Sequence, residues 1–318
     1  MSAQQETFVK REAVSDARFG CIPQERPVAD TIRFGVINLD KPPGPTSHQV
    51  SDYAQRILGV ASAGHSGSLD PQVTGVLPIV TERATRLAHV LLKGGKEYVG
   101  VMHLHKPVPE ERLRAAVAAF VGKITQLPPL KSAVKRQLRE REIYKFELLE
   151  IGGQDVLFTV SCEAGTYVRK LCHDLGERLG VGAHMAALRR TRVTTFREAE
   201  SVTLHDLQDA LVFWKEEGNE KLIRHCIAPA ERVVEHLPKV WVLDSAVESI
   251  CHGRAVAVPG ISRLTPLQQG QLTAIMTLKG ELVALGPAQM SHEDVLKNEK
   301  GIVVKTHKVF MEAGMYLG

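Results

Sequence analysis

A glycine-rich segment contains the side chain best placed to do chemistry. Residues 64–75 read Gly-His-Ser-Gly-Ser-Leu-Asp-Pro-Gln-Val-Thr-Gly, and Asp70 is the one acidic residue among them. Pro71 favours an extended backbone at Asp70, and the glycines permit tight turns that would present its carboxylate at a surface. Taken alone, the segment fits better an aspartate that only completes an Asx turn. The sequence predicts a loop here, with Asp70 as the first candidate for an active-site group.

The sequence lacks the common cofactor and metal motifs. It has no Gly-x-Gly-x-x-Gly, no Walker loop, no His-Glu-x-x-His and no Gly-x-Ser-x-Gly. Adjacent Cys and His residues occur at 172–173, 225–226 and 251–252, but these are not the spaced pairs of a zinc site. The five cysteines are scattered without a Cys-x-x-Cys pair, which is typical of reduced thiols. We therefore expect neither a cofactor nor a metal ion.

Length and composition indicate an ordinary folded protein. The 318 residues predict roughly two domains at about 150 residues each. Hydrophobic residues make up 44% of the chain and charged residues 24%, which excludes general disorder. No apolar stretch approaches the roughly 18 residues of a membrane helix, and the N-terminus has no signal-peptide core. We expect no membrane association and a cytoplasmic location.

Hydrophobic periodicity predicts the elements that would hold the loop. Strands are expected at 34–41, 97–104 and 156–162, and helices at about 84–91, 109–121 and 203–217 and directly after Thr166. Ser47 is expected to cap a further helix that closes at Gly59. Strands and helices alternate without a regular βαβ repeat, which favours an α+β fold with a mixed, largely antiparallel central sheet.

The pattern changes near residue 238, where short β-rich runs are separated by glycine turns. We expect a small all-β domain at 238–318 and a catalytic domain at 32–237. Residues 1–31 are polar and carry Pro23 and Pro27, which favours an extended N-terminal arm that packs on the C-terminal domain.

Positive charge is concentrated in two segments. The net charge of +4 permits a nucleic-acid partner without requiring one. Residues 131–145 hold six basic and two acidic side chains, and residues 189–197 hold four arginines. Either cluster taken alone is most simply explained as a solvated surface.

The segment around Asp70 resembles the catalytic-aspartate motif of the TruB branch of pseudouridine synthases, a family that isomerises uridine within RNA. Leu39-Asp-Lys-Pro-Pro-Gly-Pro-Thr-Ser, Lys96-Glu-Tyr-Val-Gly, Gly165-Thr-Tyr-Val-Arg-Lys-Leu and Leu188-Arg-Arg match in the expected order. Segments 83–87, 128–136 and 160–169 narrow the resemblance to dyskerin-type proteins of H/ACA ribonucleoprotein particles. The part after residue 238 is similar to a PUA RNA-binding domain. Lysine-rich tails are absent, which favours an archaeal member.

The resemblance implies a pseudouridine synthase fold and three catalytic residues. Asp70 would act on the base or the ribose, either through a covalent adduct or by abstracting a sugar proton, and the sequence leaves both routes open. Arg169 would keep Asp70 ionised in a pocket that excludes water, where burial alone would raise the carboxyl pKa. Tyr98 would stack on the target base.

Further residues receive supporting roles from the resemblance. His65 would help to expel the uridine from its stack, Lys41 would support the loop and Leu188 would wall the pocket. The basic segments would track RNA phosphates. The predicted RNA-binding residues are Lys131, Lys135, Arg136, Arg139, Arg189 and Arg190.

The implied partners are an H/ACA guide RNA, rRNA and tRNA substrates, and three small proteins. One of these has a zinc ribbon, one is named for glycine and arginine, and one is a ribosomal-type protein that binds kink-turns. A eukaryotic member would be nucleolar, an archaeal one cytoplasmic. Two other functions stay open. The chain could modify the TΨC arm of tRNA without a guide, or it could be a non-catalytic RNA scaffold for ribosome assembly.

Overall fold

Two units of chain make up the structure, a computed structural model that describes residues 6–127 and 137–317. The central unit runs from Ile37 to Cys226, and the C-terminal unit combines the chain up to Val36 with the chain from Ile227 onwards. These limits differ from the predicted boundaries at 32 and 238. The reason is that Ala228 and Pro229 pair with Val36 and Gly35, so residues on both sides of the central unit join in one short ladder.

The strands are numbered in chain order. They are β1 Phe8–Val9, β2 Gly35–Lys41, β3 Ala63–His65, β4 Thr74–Thr81, β5 Lys96–Leu104, β6 Gly122–Gln126, β7 Arg139–Gly152, β8 Asp155–Cys162, β9 Ala183–Val193, β10 Phe196–Arg197, β11 Ala228–Pro229, β12 Lys239–Val242, β13 Val256–Ala257, β14 Ile261–Leu264, β15 Leu272–Met276, β16 Leu282–Pro287, β17 Ile302–Val304 and β18 Lys308–Val309.

The α-helices are numbered in the same way, and short 3-10 turns lie between some of them. The helices are α1 Val28–Arg33, α2 Ser47–Leu58, α3 Ala88–Lys93, α4 Glu110–Ala118, α5 Val168–Leu179, α6 Leu204–Glu217, α7 Glu220–Cys226, α8 Asp244–Cys251 and α9 His292–Lys297. None of the helices in the described ranges is long and apolar enough to cross a membrane.

A mixed sheet forms the central unit, in the strand order β2-β4-β9-β5-β8-β7-β6. Strands β5, β8 and β7 are antiparallel to their neighbours, whereas β4 and β9 pair in parallel. Every second residue of β5 and of β8 is buried, which is the alternation expected of a strand with one face on a core. Helix α5 packs its apolar stripe against that face. The predicted α+β class with a mixed, largely antiparallel sheet is confirmed.

The helix after the first predicted strand begins one residue earlier than expected. Thr46, not Ser47, is the N-cap: its side chain accepts a hydrogen bond from Gln49 N, and Gln49 reaches back to the Thr46 backbone. Gly59 closes the helix in the left-handed region, with φ of 68°. Ser47 lies in the first helical turn, where its hydroxyl is available for another contact.

The C-terminal unit is built on a six-stranded sheet in the order β1-β14-β12-β15-β16-β18, with a separate β13-β17 pair. The N-terminal arm supplies β1, which pairs with β14. The unit also contains the helices α8 and α9, so it is not all-β as the sequence predicts. Val240, Ile275 and Val283 lie in the core of this unit.

Candidate active site

An acidic and a basic side chain, 99 residues apart in the sequence, meet at the glycine-rich loop. Arg169 Nη2 donates a hydrogen bond to Asp70 Oδ2. Arg169 is the second residue of α5, which starts a few residues after β8 ends. The side chains of Asp70 and Arg169 are 48% and 47% exposed. The cation expected beside Asp70 is therefore present, but in this structure the chain leaves both groups open to water.

Two buried neighbours fix the backbone of Asp70. Leu69 and Val73 lie in the core of the central unit. Ser47 Oγ accepts a hydrogen bond from Leu69 N at 2.8 Å, and Val73 N donates to Asp70 O at 3.0 Å. The loop lies between β3 and β4, because the outer residues of the predicted loop segment belong to those strands. Asp70 thus occupies a defined turn between two anchored residues.

Lys41 lies beneath the loop with its side chain buried. Its Nζ donates to the carbonyl oxygens of Pro42, Pro71 and Val73 at 2.9, 2.8 and 2.9 Å. Burial lowers the pKa of Lys41, and attraction by Asp70 opposes that change. Lys41 therefore ties the end of β2 to both sides of the turn that presents Asp70.

Tyr98 lies on β5 and packs in the same core cluster as Leu69 and Val73. Burial raises the pKa of Tyr98, and the guanidinium of Arg190 beside the hydroxyl opposes that rise. The phenol is therefore neutral near pH 7, with a hydroxyl that can donate a hydrogen bond.

Arg190 does not belong to the RNA-binding surface that the sequence predicts. The residue is 1% exposed, and its Nε donates to Val76 O at 2.7 Å while Nη2 donates to Gly67 O at 3.2 Å. A side chain buried in this way cannot reach an RNA phosphate. Neighbouring residues of a strand face opposite sides of the sheet, and Arg189 accordingly points elsewhere, towards Asp40 and Glu198.

Lys96 is a buried cation that the sequence did not identify as part of the site. Its Nζ donates to Leu91 O, Leu92 O and Gly94 O at 3.1, 2.8 and 2.7 Å, and so caps the end of α3. Burial lowers the pKa of Lys96 to about 8, and repulsion by Arg190 adds to the effect. Lys96 and Tyr98 lie two residues apart on β5 and both are buried.

His65 and Leu188 lie on strands that border the loop and Tyr98. His65 ends β3, and its Nδ1 accepts a hydrogen bond from Gly67 N at 3.3 Å. Burial lowers the pKa of His65, so the ring is mainly neutral near pH 7. Leu188 pairs with Gly100 of β5, where an added Cβ would lie 2.8 Å from Leu188 Cδ1. A side chain at Gly100 would therefore force Leu188 to move.

The other predicted RNA-binding residues divide by location. Arg139 begins β7 and pairs with Gln126 of β6. Arg189 is partly exposed. Lys131, Lys135 and Arg136 lie outside the described residues.

Known domain families match most of the chain. Residues 55–111 and 105–168 match the TruB family pseudouridylate synthase N-terminal domain, and residues 169–235 match the tRNA pseudouridylate synthase B C-terminal domain. The chain belongs to the TruB family of pseudouridine synthases. Within that family it carries a DKCLD (NUC011) domain at residues 1–51 and a PUA domain at residues 238–310.

Archaeal relatives in the TruB family extend over nearly the whole chain. A protein of Methanopyrus kandleri named probable tRNA pseudouridine synthase B is 55% identical over 98% of this chain and 92% of its own length. The protein of the same name from Pyrococcus furiosus is 54% identical over 98% of this chain and 93% of its own length.

Two solved structures are similar throughout. A chain in the crystal structure of a Cbf5-Nop10-Gar1 complex superimposes with a TM-score of 0.93 at 53% identity, covering 99% of this chain and 97% of its own. A chain in the structure of an H/ACA RNP bound to a substrate RNA containing 2'-deoxyuridine gives a TM-score of 0.93 at 50% identity, covering 99% and 98%. The predicted synthase and PUA domains are thereby confirmed.

Proposed function

We propose that this pseudouridine synthase converts uridine to pseudouridine in rRNA selected by an H/ACA guide RNA, and in the TΨC arm of tRNA. The Asp70–Arg169 ion pair, presented at a turn that is anchored on both sides, is the observation that most supports this function. The family relationship supplies the reaction type, and the site supplies one ionised carboxylate where that reaction needs it.

The reaction needs no oxidant and no reductant. The bond between C1′ of the ribose and N1 of uracil breaks, the ring turns, and a bond forms between C1′ and C5. One proton leaves C5 and one is taken up at N1, so atoms and charge balance. Asp70 begins this sequence as a nucleophile or as a base that takes a sugar proton.

The neighbouring side chains assist in distinct ways. Arg169 donates a hydrogen bond to the carboxylate and so fixes its orientation. Tyr98 faces the base with a neutral ring, and Lys41 keeps the turn in place. Leu188 borders the pocket, and His65 fills the space that the uridine leaves when it swings out.

Closure of the site comes with RNA. Since Asp70 and Arg169 are half exposed in the chain by itself, the bound uridine is the group that displaces water from them. Arg139 and Arg189 contact RNA phosphates in this proposal, as do Lys131, Lys135 and Arg136.

The partners follow from the similar structures. One of them is a complex with Nop10 and Gar1, and another is an H/ACA RNP bound to substrate RNA. We propose that this chain assembles with the corresponding small core proteins, with a kink-turn-binding ribosomal-type protein and with a guide RNA. The relatives come from archaea, which favours a cytoplasmic particle.

The decisive test replaces Asp70 by asparagine in the reconstituted particle. Asp70→Asn is expected to reduce single-turnover formation of pseudouridine by at least about a thousandfold, while the Kd for guide RNA stays within a few-fold, because one charge contributes little to phosphate binding. The assay counts radiolabelled uridine converted on a designed guide.

A matched control is Asp174→Asn, which makes the same change at an aspartate paired with Lys170 on α5. This variant should keep wild-type turnover. Wild-type turnover by Asp70→Asn would remove that residue from the reaction. A wild-type particle without turnover on any guide would favour the scaffold function instead.

Guided and stand-alone action are separated with tRNA. The purified chain is assayed on a tRNA with and without the guide and core proteins. Activity on tRNA alone that does not change when the guide is added would show that the tRNA reaction is independent of guide RNA.

A further inference from the structure

We propose that Arg190 is a positioning residue of the reaction, whose buried guanidinium holds the hydroxyl of Tyr98 in a fixed relation to the loop of Asp70. This inference deepens the proposed function and rests on it. It assigns a function to a buried cation that the sequence predicts to bind RNA.

The sheet register places Arg190 and Tyr98 together. Tyr98 of β5 and Arg190 of β9 are direct partners in an antiparallel ladder, and both are buried. Direct partners on neighbouring strands project from the same face with Cβ atoms about 5 Å apart. The guanidinium of Arg190 therefore extends on the side where the Tyr98 ring lies, and its charge opposes the rise in the pKa of the phenol that burial causes.

The other donors of the guanidinium reach the loop and the adjoining strand. Arg190 Nη2 donates to Gly67 O, three residues before Asp70, and Nε donates to Val76 O, which belongs to β4 beyond the loop. One rigid, planar group thus joins the start of the loop, its end and β5. Lysine has a single flexible ammonium and cannot reproduce this fork.

Backbone contacts bring β4 unusually close to Arg190. Gly75 pairs with Arg190 in parallel, and its φ is 102°. A Cβ built on Gly75 would lie 2.2 Å from Arg190 O. A side chain at Gly75 would therefore push β4 away, so glycine is required for the guanidinium to reach Val76.

Arg190 has no carboxylate partner among residues 6–127 and 137–317, and burial of a cation without one has a cost, which suggests a function beyond packing. Arg190 donates to backbone carbonyls and meets the neutral phenol of Tyr98. Burial lowers the pKa of Arg190, which is the direction expected when charge is desolvated. Folds rarely keep such a group unless its geometry is used.

A double-mutant cycle in the reconstituted particle tests the proposal. Arg190→Lys keeps the charge and removes the fork, and Tyr98→Phe keeps the ring and removes the hydroxyl. We expect Arg190→Lys to slow single-turnover pseudouridine formation between about tenfold and a hundredfold. In the Tyr98→Phe background the same change should slow the reaction by a clearly smaller factor, because the contact with the hydroxyl is already absent and only the bonds to Gly67 O and Val76 O are lost.

Binding and a control variant complete the cycle. The Kd for substrate RNA should change by less than about twofold in Arg190→Lys, since the residue touches no phosphate. Arg112→Lys makes the same substitution at a guanidinium that donates to Leu179 O on α5, and it should leave the rate unchanged. Equal slowing by Arg190→Lys in both backgrounds, or an unchanged rate in the wild-type background, would overturn the proposal.

A measurement on the wild-type chain covers the case in which Arg190→Lys does not fold. In nuclear magnetic resonance of arginine-labelled protein, Arg190 Nε–H should exchange with water far more slowly than that of the exposed Arg18, and its guanidinium should give a cross-peak to the Tyr98 ring. Rapid exchange, or no cross-peak, would contradict the proposal. These signals need no turnover, so they separate its failure from failure of the proposed function.

Discussion

The two units of the chain bury charges of opposite sign. Among residues 6–127 and 137–317, the buried charged side chains of the central unit are Lys41, Lys96 and Arg190, and those of the C-terminal unit are Glu231 and Glu281. The cations donate to backbone carbonyls. The carboxylates accept from side chains and backbone N–H groups.

The difference reflects what each unit has to hold in place. In the C-terminal unit, Glu281 accepts from Tyr316 at 2.6 Å and from Cys21 N at 3.1 Å, while Glu231 accepts from Arg26 at 2.9 Å. The bonds from Cys21 and Arg26 attach the N-terminal arm. In the central unit Lys41 and Arg190 attach the Asp70 loop, and Lys96 attaches the end of α3. A buried charge thus fixes an irregular segment in both units. The charge is positive where the segment presents carbonyl oxygens and negative where it presents N–H donors.

The largest effect is expected when Lys41 loses its charge. Lys41→Met removes three buried or part-buried hydrogen bonds to backbone carbonyls, which should lower the free energy of unfolding by about 2–4 kcal/mol. Turnover per folded molecule should fall at least a hundredfold, because the turn of Asp70 is released. Urea denaturation and single-turnover assays measure the two effects.

Lys239→Met provides the matched change in the other unit. Lys239 Nζ also donates to backbone carbonyls, those of Glu235 and Leu237. Lys239→Met should lower the free energy of unfolding without slowing the chemical step at saturating RNA. Equal loss of turnover in the two variants would mean that the cations of the central unit have no special relation to the loop.

A smaller effect is expected from the carboxylate that holds the arm. Glu281→Gln keeps an acceptor oxygen but removes the charge, so it should cost about 1–2 kcal/mol. Hydrogen exchange of the backbone at residues 16–22 should become faster. Glu293→Gln, at an exposed site on α9, should leave exchange there unchanged. No acceleration in Glu281→Gln would show that the arm is held without help from this carboxylate.

The effect expected at Lys96 is a dependence of stability on pH. The folded chain releases the Lys96 proton near pH 8, whereas an unfolded lysine keeps it to about pH 10.4. Between these values the unfolded state binds more protons, so stability rises with pH by up to about 1.4 kcal/mol per unit, relative to Lys96→Met. Below pH 8 the cost of burying the charge is fully present. Denaturation at pH 7, 8.5 and 10 measures the trend, and Lys123→Met, at an exposed position, should not show it.

Much of the site could be predicted because its signals are local or belong to the family. The segment around Asp70 has an unusual composition, and Arg169 follows a strand-to-helix junction that periodicity reveals. The strand at 97–104 alternates cleanly, which places Tyr98 on the core side. The ion pair brings Asp70 and Arg169 together.

The remaining features depend on tertiary contacts. Strand β7 was missed because most of its residues are exposed or half-buried, so its alternation is weak. Consecutive arginines at 189 and 190 resembled a surface cluster, although neighbours on a strand must face opposite sides. Recognising β9 as a strand would have indicated that only one of them could meet RNA. Lys96 gave no signal, since its carbonyl partners come from a helix end.

The preformed bridge between Asp70 and Arg169 has a consequence for how a nucleobase enters. An uncharged uracil that enters the site contacts an ion pair and not an isolated charge. Its binding therefore does not require the removal of water from an unpaired ion. Once water leaves, the local dielectric constant drops and the pull between the two charges strengthens. Binding of the correct uridine therefore strengthens the electric field of the ion pair at the sugar. In this way the substrate itself contributes to catalysis.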